Sequence, residues 1–216
     1  MGRRIAYTSQ VARSRNKAAL KPESPPGRLR IVAGKWRSRL LDIADAPGLR
    51  PTSERIRETL FNWLAPQIAG ARCLDLFAGT GALGLEALSR GAASVVFVEK
   101  SYRAIYVLRS NVAALDTEHA NIEHTDASEF LQHCAPQSFD IVFLDPPFAA
   151  DALEELCRLL DRKGVLVDGC LVYIEEDRSR PAVNLPEGWL PLKSKTAGNV
   201  RYSLFRALNR GRENSR

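Results

Sequence analysis

Apolar residues in the central part of the chain occur as short runs separated by stretches with helical spacing. Three runs are apolar almost throughout, and they cover residues 72–77, 94–99 and 139–144. Over residues 82–91 and 102–115, apolar side chains instead recur every three or four positions. Buried strands that alternate with helices are typical of a parallel sheet joined by right-handed crossovers. The pattern therefore predicts an α/β fold with a mostly parallel sheet.

Less regular apolar patterns predict the remaining strands and helices of this core. They predict strands over 121–126 and near 171–176, and helices over 54–64, 127–134 and near 151–160. Thr52 or Ser53 is expected to cap the 54–64 helix, whose polar side would present Arg55, Arg57 and Glu58.

Both ends of the ordered region are expected to form hairpins. Residues 28–33 alternate basic and apolar side chains, and with residues 38–43 they predict a small N-terminal β-hairpin. Near the other end, the runs 189–194 and 200–207 flank a turn at residues 196–199. The sheet is therefore expected to end in an antiparallel C-terminal hairpin.

Composition narrows the class of protein. The chain has 216 residues, 45% of them hydrophobic and 26% charged, which suits one globular domain with appendages. No apolar run approaches the ~18 residues of a membrane span and no secretion signal is visible, so a cytoplasmic protein that does not bind membranes is expected. The four cysteines and three histidines lack metal or redox spacing, and we expect buried thiols and no metal site.

Charge is distributed unevenly along the chain. Residues 1–40 contain eleven Lys or Arg and a single acid, Glu23, whereas the whole chain has a formal net charge of only +6. The rest of the chain is therefore slightly acidic. A basic leading segment indicates either a polyanionic partner contacted through its phosphates or a solvated tail, and charge alone does not separate the two.

A glycine turn follows the first apolar run. Gly79, Gly81 and Gly84 have the G-x-G-x-x-G spacing that allows a tight turn and close approach of a ligand to the backbone. Asp75 precedes the turn, and Glu99 closes the second run at the position where a carboxylate accepts hydrogen bonds from ribose hydroxyls. The glycines alone are compatible with both NAD and S-adenosylmethionine.

Acids end four of the predicted parallel strands. They are Asp75, Glu99, Asp126 and Asp145, and the carboxyl ends of such strands form the ligand-binding edge of an open sheet. Each acid alone is also a plausible helix cap. Together they favour a ligand rich in donors or positive charge, which S-adenosylmethionine is and a pyrophosphate is not.

The segment Asp145-Pro146-Pro147-Phe148 carries the most specific chemistry. Two prolines fix the backbone and remove two amide donors, which leaves rigid carbonyl acceptors beside a carboxylate. Such acceptors can draw the hydrogens of a nucleobase amine out of the ring plane and stabilise positive charge as the nitrogen attacks a methyl group, while Phe148 stacks on the base. The alternative is a helix start capped by Asp145.

Three long motifs carry a resemblance to a known family. Residues 30–37, 50–63 and 75–91, with the Asp-Pro-Pro-Phe segment, resemble class I amino methyltransferases and, more narrowly, the bacterial small-subunit ribosomal RNA methyltransferase D family. The resemblance extends from about residue 28 to residue 207. It implies a Rossmann-like class I fold and a monomer that methylates N2 of one guanine in 16S rRNA, in the assembled 30S subunit, during ribosome biogenesis.

The resemblance and the strand-end rule together give a set of site residues. The catalytic candidates are Asp145, Pro146, Pro147 and Phe148. The candidates for binding S-adenosylmethionine are Asp75, Phe77, Gly79, Thr80, Gly81, Glu99, Lys100, Asp126 and Ala127. The candidates for binding RNA are Arg30, Lys35, Trp36, Arg37, Arg39, Arg50, Arg55 and Arg57. Trp36 alone has two interpretations, since it either stacks on a base or caps the apolar face of the hairpin.

The expected division of the chain has four parts: a disordered basic tail (1–27), an RNA-binding hairpin extension (28–50), a methyltransferase domain (51–208) and a polar tail (209–216). Three other functions remain open at this stage. One is N6-adenine methylation of DNA or RNA, one is a non-enzymatic role in ribosome assembly as a basic RNA-binding factor, and one is an NAD-dependent dehydrogenase.

Overall fold

The computed structural model describes residues 27–44, 52–147 and 152–208. The predicted disordered tails, apart from Gly27, therefore lie outside the described residues, as do Arg50 and Phe148. No helix in the described part of the chain combines the length and apolar character needed to cross a membrane.

The elements alternate as the sequence pattern predicts. The strands are β1 (Arg28–Arg30), β2 (Leu40–Asp42), β3 (Arg72–Asp75), β4 (Ser94–Val98), β5 (Ala120–Glu123), β6 (Phe139–Leu144), β7 (Leu166–Asp177), β8 (Trp189–Ala197) and β9 (Val200–Ala207). The helices are α1 (Glu54–Leu64), α2 (Ala82–Ser89), α3 (Tyr102–Leu115), α4 (Ala127–His133) and α5 (Leu153–Lys163). The largest difference from expectation is at β7, which begins five residues before Leu171, and the C-terminal ends of β1, β5, β8 and α5 each differ from expectation by three residues.

Seven strands form one twisted sheet in the order β5-β4-β3-β6-β7-β9-β8. Strands β5, β4, β3, β6 and β7 are parallel, and β9 and β8 complete the sheet in antiparallel pairing. The predicted fold class, a mostly parallel sheet with an antiparallel C-terminal hairpin and a small N-terminal hairpin, is confirmed.

Helices cover both faces of the sheet because successive residues of its buried strands point to opposite sides. Cys73 of β3 packs into an apolar cluster with residues of α1, α2 and α3. The next residue, Leu74, packs into a second cluster with residues of α4 and α5. All four cysteines are free thiols, and three of them are buried as expected, whereas Cys134 is only partly buried.

The N-terminal hairpin is part of the same core. Leu29, Ile31, Trp36 and Leu41 belong to the apolar cluster that contains α1 and α2. The buried carboxylate of Glu86 in α2 accepts hydrogen bonds from the amides of Val32 and Ala33, which follow β1. The hairpin is therefore held against the seven-stranded sheet and its helices by packing and by a buried charge.

A buried ion pair links this hairpin to α1. The Arg57 guanidinium lies 3.4 Å from Glu86 and donates to the carbonyl oxygens of Arg30 and Thr52. The prediction that Arg57 faces solvent is wrong, since its side chain is fully buried. Its role is structural, because three residues from three places in the chain supply its partners.

Candidate active site

A cavity of about 980 Å³ opens at the carboxyl ends of the parallel strands. This location is where open α/β sheets bind ligands, and the volume is at the upper end of the range for small-molecule sites. One wall consists of the glycine turn after β3 and the residues that follow β4 and β5. The other wall consists of residues after β6, the end of β7 and the turn between β8 and β9. We call these walls the glycine-turn wall and the proline wall.

The glycine turn has a backbone that only glycine supports. Gly79 and Gly81 have φ values of 53° and 91°. A Cβ atom on Gly81 would lie 2.6 Å from Leu108, and one on Gly84 would lie 2.2 Å from the ring of Phe97. The first pair of glycines permits the turn, and Gly84 permits close packing of α2 on β4.

Asp75 is hydrogen-bonded to the backbone that follows this turn. Its carboxylate is 2% exposed and accepts a hydrogen bond of 3.0 Å from the amide of Gly84. Burial raises the pKa of Asp75 to about 7, and the nearby charge of Glu99 acts in the same direction, while the Gly84 amide opposes the shift. The charge of Asp75 is therefore adjustable near neutral pH, and a cationic ligand would favour the ionised form.

Glu99 closes the glycine turn from the side. One carboxylate oxygen accepts from the amide of Gly79 at 2.9 Å, and the other accepts from the amide of Ser101 at 2.7 Å. A carboxylate offers about four acceptor positions, so Glu99 keeps capacity for ribose hydroxyls. It is held rigidly at the place where the sequence predicts such an acceptor.

The third strand-end acid has two roles. Asp126 caps α4 by accepting from the amide of Ser128, and it lines the cavity with Lys100, whose ammonium lies 4.0 Å from it. The other predicted cofactor residues that line the cavity are Phe77, Gly79, Thr80 and Ala127. Gly81 does not line it, although its neighbours Thr80 and Ala82 do. The structure thus brings the predicted cofactor residues to one wall.

The proline wall contains an arrangement that the sequence does not reveal. Asp145 is half-buried, Pro146 is buried and Pro147 is exposed, and all three line the cavity. The single hydroxyl of Thr52 lies 3.0 Å from Asp145 Oδ2 and 2.9 Å from Glu175 Oε1. The hydroxyl of Tyr173 donates to the same Glu175 oxygen at 2.8 Å.

These groups have strongly perturbed protonation. Burial, followed by the charge of Glu175, raises the pKa of Asp145 well above its usual range. Burial also raises the pKa of Glu175, whereas the hydrogen bonds from Tyr173 and Thr52 lower it. Burial and the adjacent Glu175 raise the pKa of the Tyr173 hydroxyl, which therefore stays a donor.

Sequence reasoning missed Thr52, Glu175 and Asp177 as cavity residues. Thr52 was expected only as a helix cap, and the cap is in fact Ser53. The available signal was the strand-end rule, because Glu175 and Asp177 lie at the end of the buried strand β7. Thr52 gives no such signal, since its contact with Glu175 joins residues 123 positions apart.

The cavity has a strongly acidic lining. Among the described residues that line it, six are acidic and one, Lys100, is basic. The acids are Asp75, Glu99, Asp126, Asp145, Glu175 and Asp177. This charge disfavours a pyrophosphate such as that of NAD and suits the ammonium and sulfonium of S-adenosylmethionine. No cluster of His, Cys, Asp or Glu among the described residues has the geometry of a metal site.

The predicted RNA-binding residues divide into two groups. The side chains of Arg30, Lys35, Arg37, Arg39 and Arg55 are exposed. Trp36 is only 7% exposed and packs into the core cluster, so the base-stacking interpretation is wrong and the capping interpretation is right. Arg57, as described above, is buried in its ion pair and cannot contact RNA.

The fold and the cavity define a class I methyltransferase, with a glycine turn and strand-end acids on one wall and a Pro-Pro segment on the other. The family described as Conserved hypothetical protein 95 matches residues 29–206. The chain belongs to this family, which is that of ribosomal RNA small subunit methyltransferase D. The predicted family and the predicted cofactor, S-adenosylmethionine, are confirmed.

Individual relatives agree with this assignment. The chain is 46% identical to ribosomal RNA small subunit methyltransferase D of Escherichia coli over 84% of its own length and 91% of the relative. It is 43% identical to the protein of the same name from Haemophilus influenzae, over 83% and 94% of the two chains. A solved structure of a putative methyltransferase from Escherichia coli, yhhF, superimposes with a TM-score of 0.79 at 41% identity, covering 85% of this chain and all of the other.

Proposed function

We propose that this protein transfers a methyl group from S-adenosylmethionine to the exocyclic N2 of a guanine in 16S rRNA of the small ribosomal subunit. The observation that carries the proposal is the pairing of two walls in one cavity. Asp145 and the Pro146 backbone, both suited to bind an amine, face the cavity that the glycine turn and Glu99 also line.

The proline wall supplies the chemistry that an amine needs. The lone pair of an exocyclic amine is delocalised into the ring, so the nitrogen is a weak nucleophile. The Asp145 carboxylate and the carbonyl oxygen of Pro146 are acceptors that can bind its hydrogens and stabilise the positive charge that develops on nitrogen. Two prolines without amide hydrogens keep competing donors away.

The glycine-turn wall supplies positioning. S-adenosylmethionine brings an activated methyl group, and we propose that Glu99 binds its ribose; the two backbone amides that hold this carboxylate support the proposal. The acidic lining offsets its positive charge. Holding donor and acceptor in line within one cavity accounts for much of the acceleration expected of such an enzyme.

Two observations support RNA of the small subunit as the substrate. The relatives of highest identity reported above are named as small-subunit rRNA methyltransferases. The N-terminal hairpin presents exposed Arg30, Lys35, Arg37 and Arg39, and cationic side chains of this kind bind phosphates. We propose that this surface contacts rRNA and that the enzyme acts in the cytoplasm on the assembled 30S subunit.

Mapping of the product tests the proposal. Small subunits from a strain that lacks the gene are incubated with the protein and labelled S-adenosylmethionine, and the modified nucleoside is identified by mass spectrometry. We expect N2-methylguanosine at one position of 16S rRNA, with faster labelling of 30S particles than of naked 16S rRNA. An N6-methyladenosine product would contradict the proposal and favour the adenine methyltransferase, and absence of transfer would favour the assembly factor.

A further inference from the structure

Glu175 and Thr52 form a buried extension of the acceptor site that the proposed reaction does not yet explain. Glu175 is 3% exposed and Thr52 is 5% exposed, and both line the cavity behind Asp145. Neither side chain is needed to hold the sheet, since β7 pairs with β6 and β9 through its backbone. A buried carboxylate beside a catalytic carboxylate is costly for folding, so its position calls for a functional account.

The hydrogen atoms available in this cluster limit its charge. Thr52 has one hydroxyl hydrogen, and two carboxylate oxygens lie within 3.0 Å of its oxygen. If both carboxylates were ionised, one of them would face a lone pair of Thr52 with no hydrogen between the two oxygens. One further proton on the pair removes this conflict, because it completes a chain in which each oxygen meets a donor.

With that proton on Glu175, every donor in the chain is oriented toward Asp145. Tyr173 donates to Glu175, Glu175 donates to Thr52, and Thr52 donates to Asp145. Asp145 is then ionised, and its second oxygen is free to accept from a ligand. The charge of Glu175 raises the pKa of Asp145, so a proton on Glu175 removes that contribution. The partly exposed Asp145 is then a less costly place for the remaining charge than Glu175, which is 3% exposed.

We propose that Glu175, acting through Thr52, is a positioning residue that shares one proton with Asp145 and keeps Asp145 as an ionised acceptor for the target amine. The inference rests on the proposed function, since it takes an amine as the acceptor. A donated N–H stabilises the ionised form of Asp145. A proton bound to Asp145 then moves to the Thr52 oxygen while the Thr52 hydrogen moves to Glu175. Both carboxyl groups stay hydrogen-bonded to Thr52 throughout.

The same pair accounts for the proton that methylation releases. The nitrogen–carbon bond forms as the carbon–sulfur bond of the methyl donor breaks, and the electron pair of that bond stays on sulfur. The nitrogen then carries one hydrogen too many. The N–H bond breaks, its electron pair returns to nitrogen, and the proton moves to the ionised Asp145, from which it leaves to solvent as the product departs.

Within residues 52–147 and 152–208, few other charged or titratable groups lie around the pair. Asp75 from β3 acts on Asp145, and Tyr173 of β7 donates to Glu175. Tyr202 of β9 acts on Tyr173, and Arg57 of α1 donates to the carbonyl oxygen of Thr52. Asp75 and the tyrosines do not supply a positive charge, and Arg57 is already paired with Glu86. The Asp145–Glu175 pair is therefore expected to control how the rate of methyl transfer falls in acid.

The test is the pH dependence of single-turnover methyl transfer to 30S subunits, at saturating S-adenosylmethionine, for the wild type and three variants. In the wild type the rate falls as pH decreases through the pKa of the pair. We call this part of the pH–rate profile the acid limb. In Glu175→Gln the oxygen that accepts from Tyr173 cannot donate to Thr52, so the Thr52 hydrogen turns toward Gln and Asp145 loses its donor; the acid limb therefore moves to higher pH by about one unit. Thr52→Val removes a donor to Asp145, so the limb moves to higher pH by about one unit, and Thr52→Ser restores it.

Glu176→Gln is the matched control. It makes the same change of charge at the next residue, whose carboxylate bonds to Arg201 and to the amide of Val183 outside the cluster. Its acid limb should coincide with that of the wild type. Cofactor affinity by calorimetry and thermal melting confirm that each variant is folded, and the two Thr52 variants keep the test usable if Glu175→Gln does not fold.

Two outcomes are distinguishable. An acid limb that stays in place in folded Glu175→Gln, or that moves equally in Thr52→Ser and Thr52→Val, overturns the role of the pair. A product other than an N-methylated base, identified by mass spectrometry in the same reactions, overturns the proposed function instead.

Discussion

The carboxylates on the two walls of the cavity accept hydrogen bonds from different kinds of donor. On the glycine-turn wall each acid meets backbone amides, since Asp75 accepts from Gly84, and Glu99 accepts from Gly79 and Ser101. On the proline wall Asp145 and Glu175 share one hydroxyl. Amide hydrogens are fixed by the backbone, whereas hydroxyl and carboxyl hydrogens can move. The first wall is therefore built to hold a ligand and the second to respond to one.

This contrast predicts the largest effect for Asp145, the carboxylate that we propose binds the reacting amine. Asp145→Ala should lower the rate of methyl transfer by at least ~100-fold, the scale of losing a positioned transition-state contact, because the acceptor for the amine hydrogens is gone. Cofactor affinity should fall much less than the rate, since the predicted cofactor residues lie on the glycine-turn wall. Single-turnover rates and calorimetry measure the two quantities.

Asp145→Asn serves as the control for that variant, because it keeps an acceptor oxygen without the charge. An intermediate rate is expected. If Asp145→Ala retains the full rate of methyl transfer, the division of labour between the walls is wrong. If it retains full biological activity without methyl transfer, the protein acts through RNA binding alone.

The glycine-turn wall should be damaged most by added bulk. Gly84→Ala would place a methyl group 2.2 Å from the Phe97 ring, and overpacking of this kind costs about 1–3 kcal/mol of stability. Thermal or denaturant unfolding measures the loss, and cofactor affinity should fall with it because α2 carries the turn. Gly27→Ala is the matched control, since its new methyl group would have ordinary contact with Ile43. Equal stability of the two variants would contradict the packing argument.

The raised pKa of Asp75 makes cofactor binding depend on pH. A cationic ligand prefers the ionised carboxylate, and the pKa of about 7 means that this form is progressively lost as pH falls below 7. Affinity for S-adenosylmethionine should therefore weaken by up to about tenfold per pH unit below 7. Calorimetry between pH 5.5 and 8 measures this slope.

Asp75→Asn should flatten the profile, because no charge is left to titrate at that position. A wild-type affinity that does not vary over this range would show that Asp75 is either ionised throughout or indifferent to the ligand.

The smallest effect is expected from a surface outside both walls. Replacing Arg30, Lys35, Arg37 and Arg39 with Ala should weaken binding to 16S rRNA several-fold at moderate salt and reduce its salt dependence, because phosphate contacts are lost. Cofactor affinity and its pH profile should not change. Filter binding at several salt concentrations provides the measurement, and unaltered RNA binding would mean that these side chains are only a solvated face.

Local sequence features predicted most of the fold. The bounds of α3 and β6 agree with their apolar patterns to the residue, because each element buries a long, regular apolar face. The strand-end acids and the Pro-Pro segment also reach the cavity as expected, since parallel strands bring their carboxyl ends to one edge. Errors occurred where a single side chain had two possible surroundings, as with Trp36 and Arg57.

Arg57 illustrates the limit well. On α1 it lies next to residues that face solvent, and its charge argues for exposure. Its actual position depends on Glu86, which is 29 residues away, and on the Arg30 carbonyl oxygen of a hairpin that packs over both. A buried charge is stable only when such partners are present, and helical periodicity contains no information about them.

The glycine turn, the acids at the strand ends and the Asp-Pro-Pro segment were all determined by the sequence itself, because each depends on backbone geometry that a few adjacent residues impose. The tertiary structure alone decided that Thr52 and Glu175, 123 positions apart, meet behind Asp145. That contact depends on how α1 approaches the end of β7. The sharing of one hydroxyl by two buried carboxylates is thus a property of the folded chain and of no segment within it.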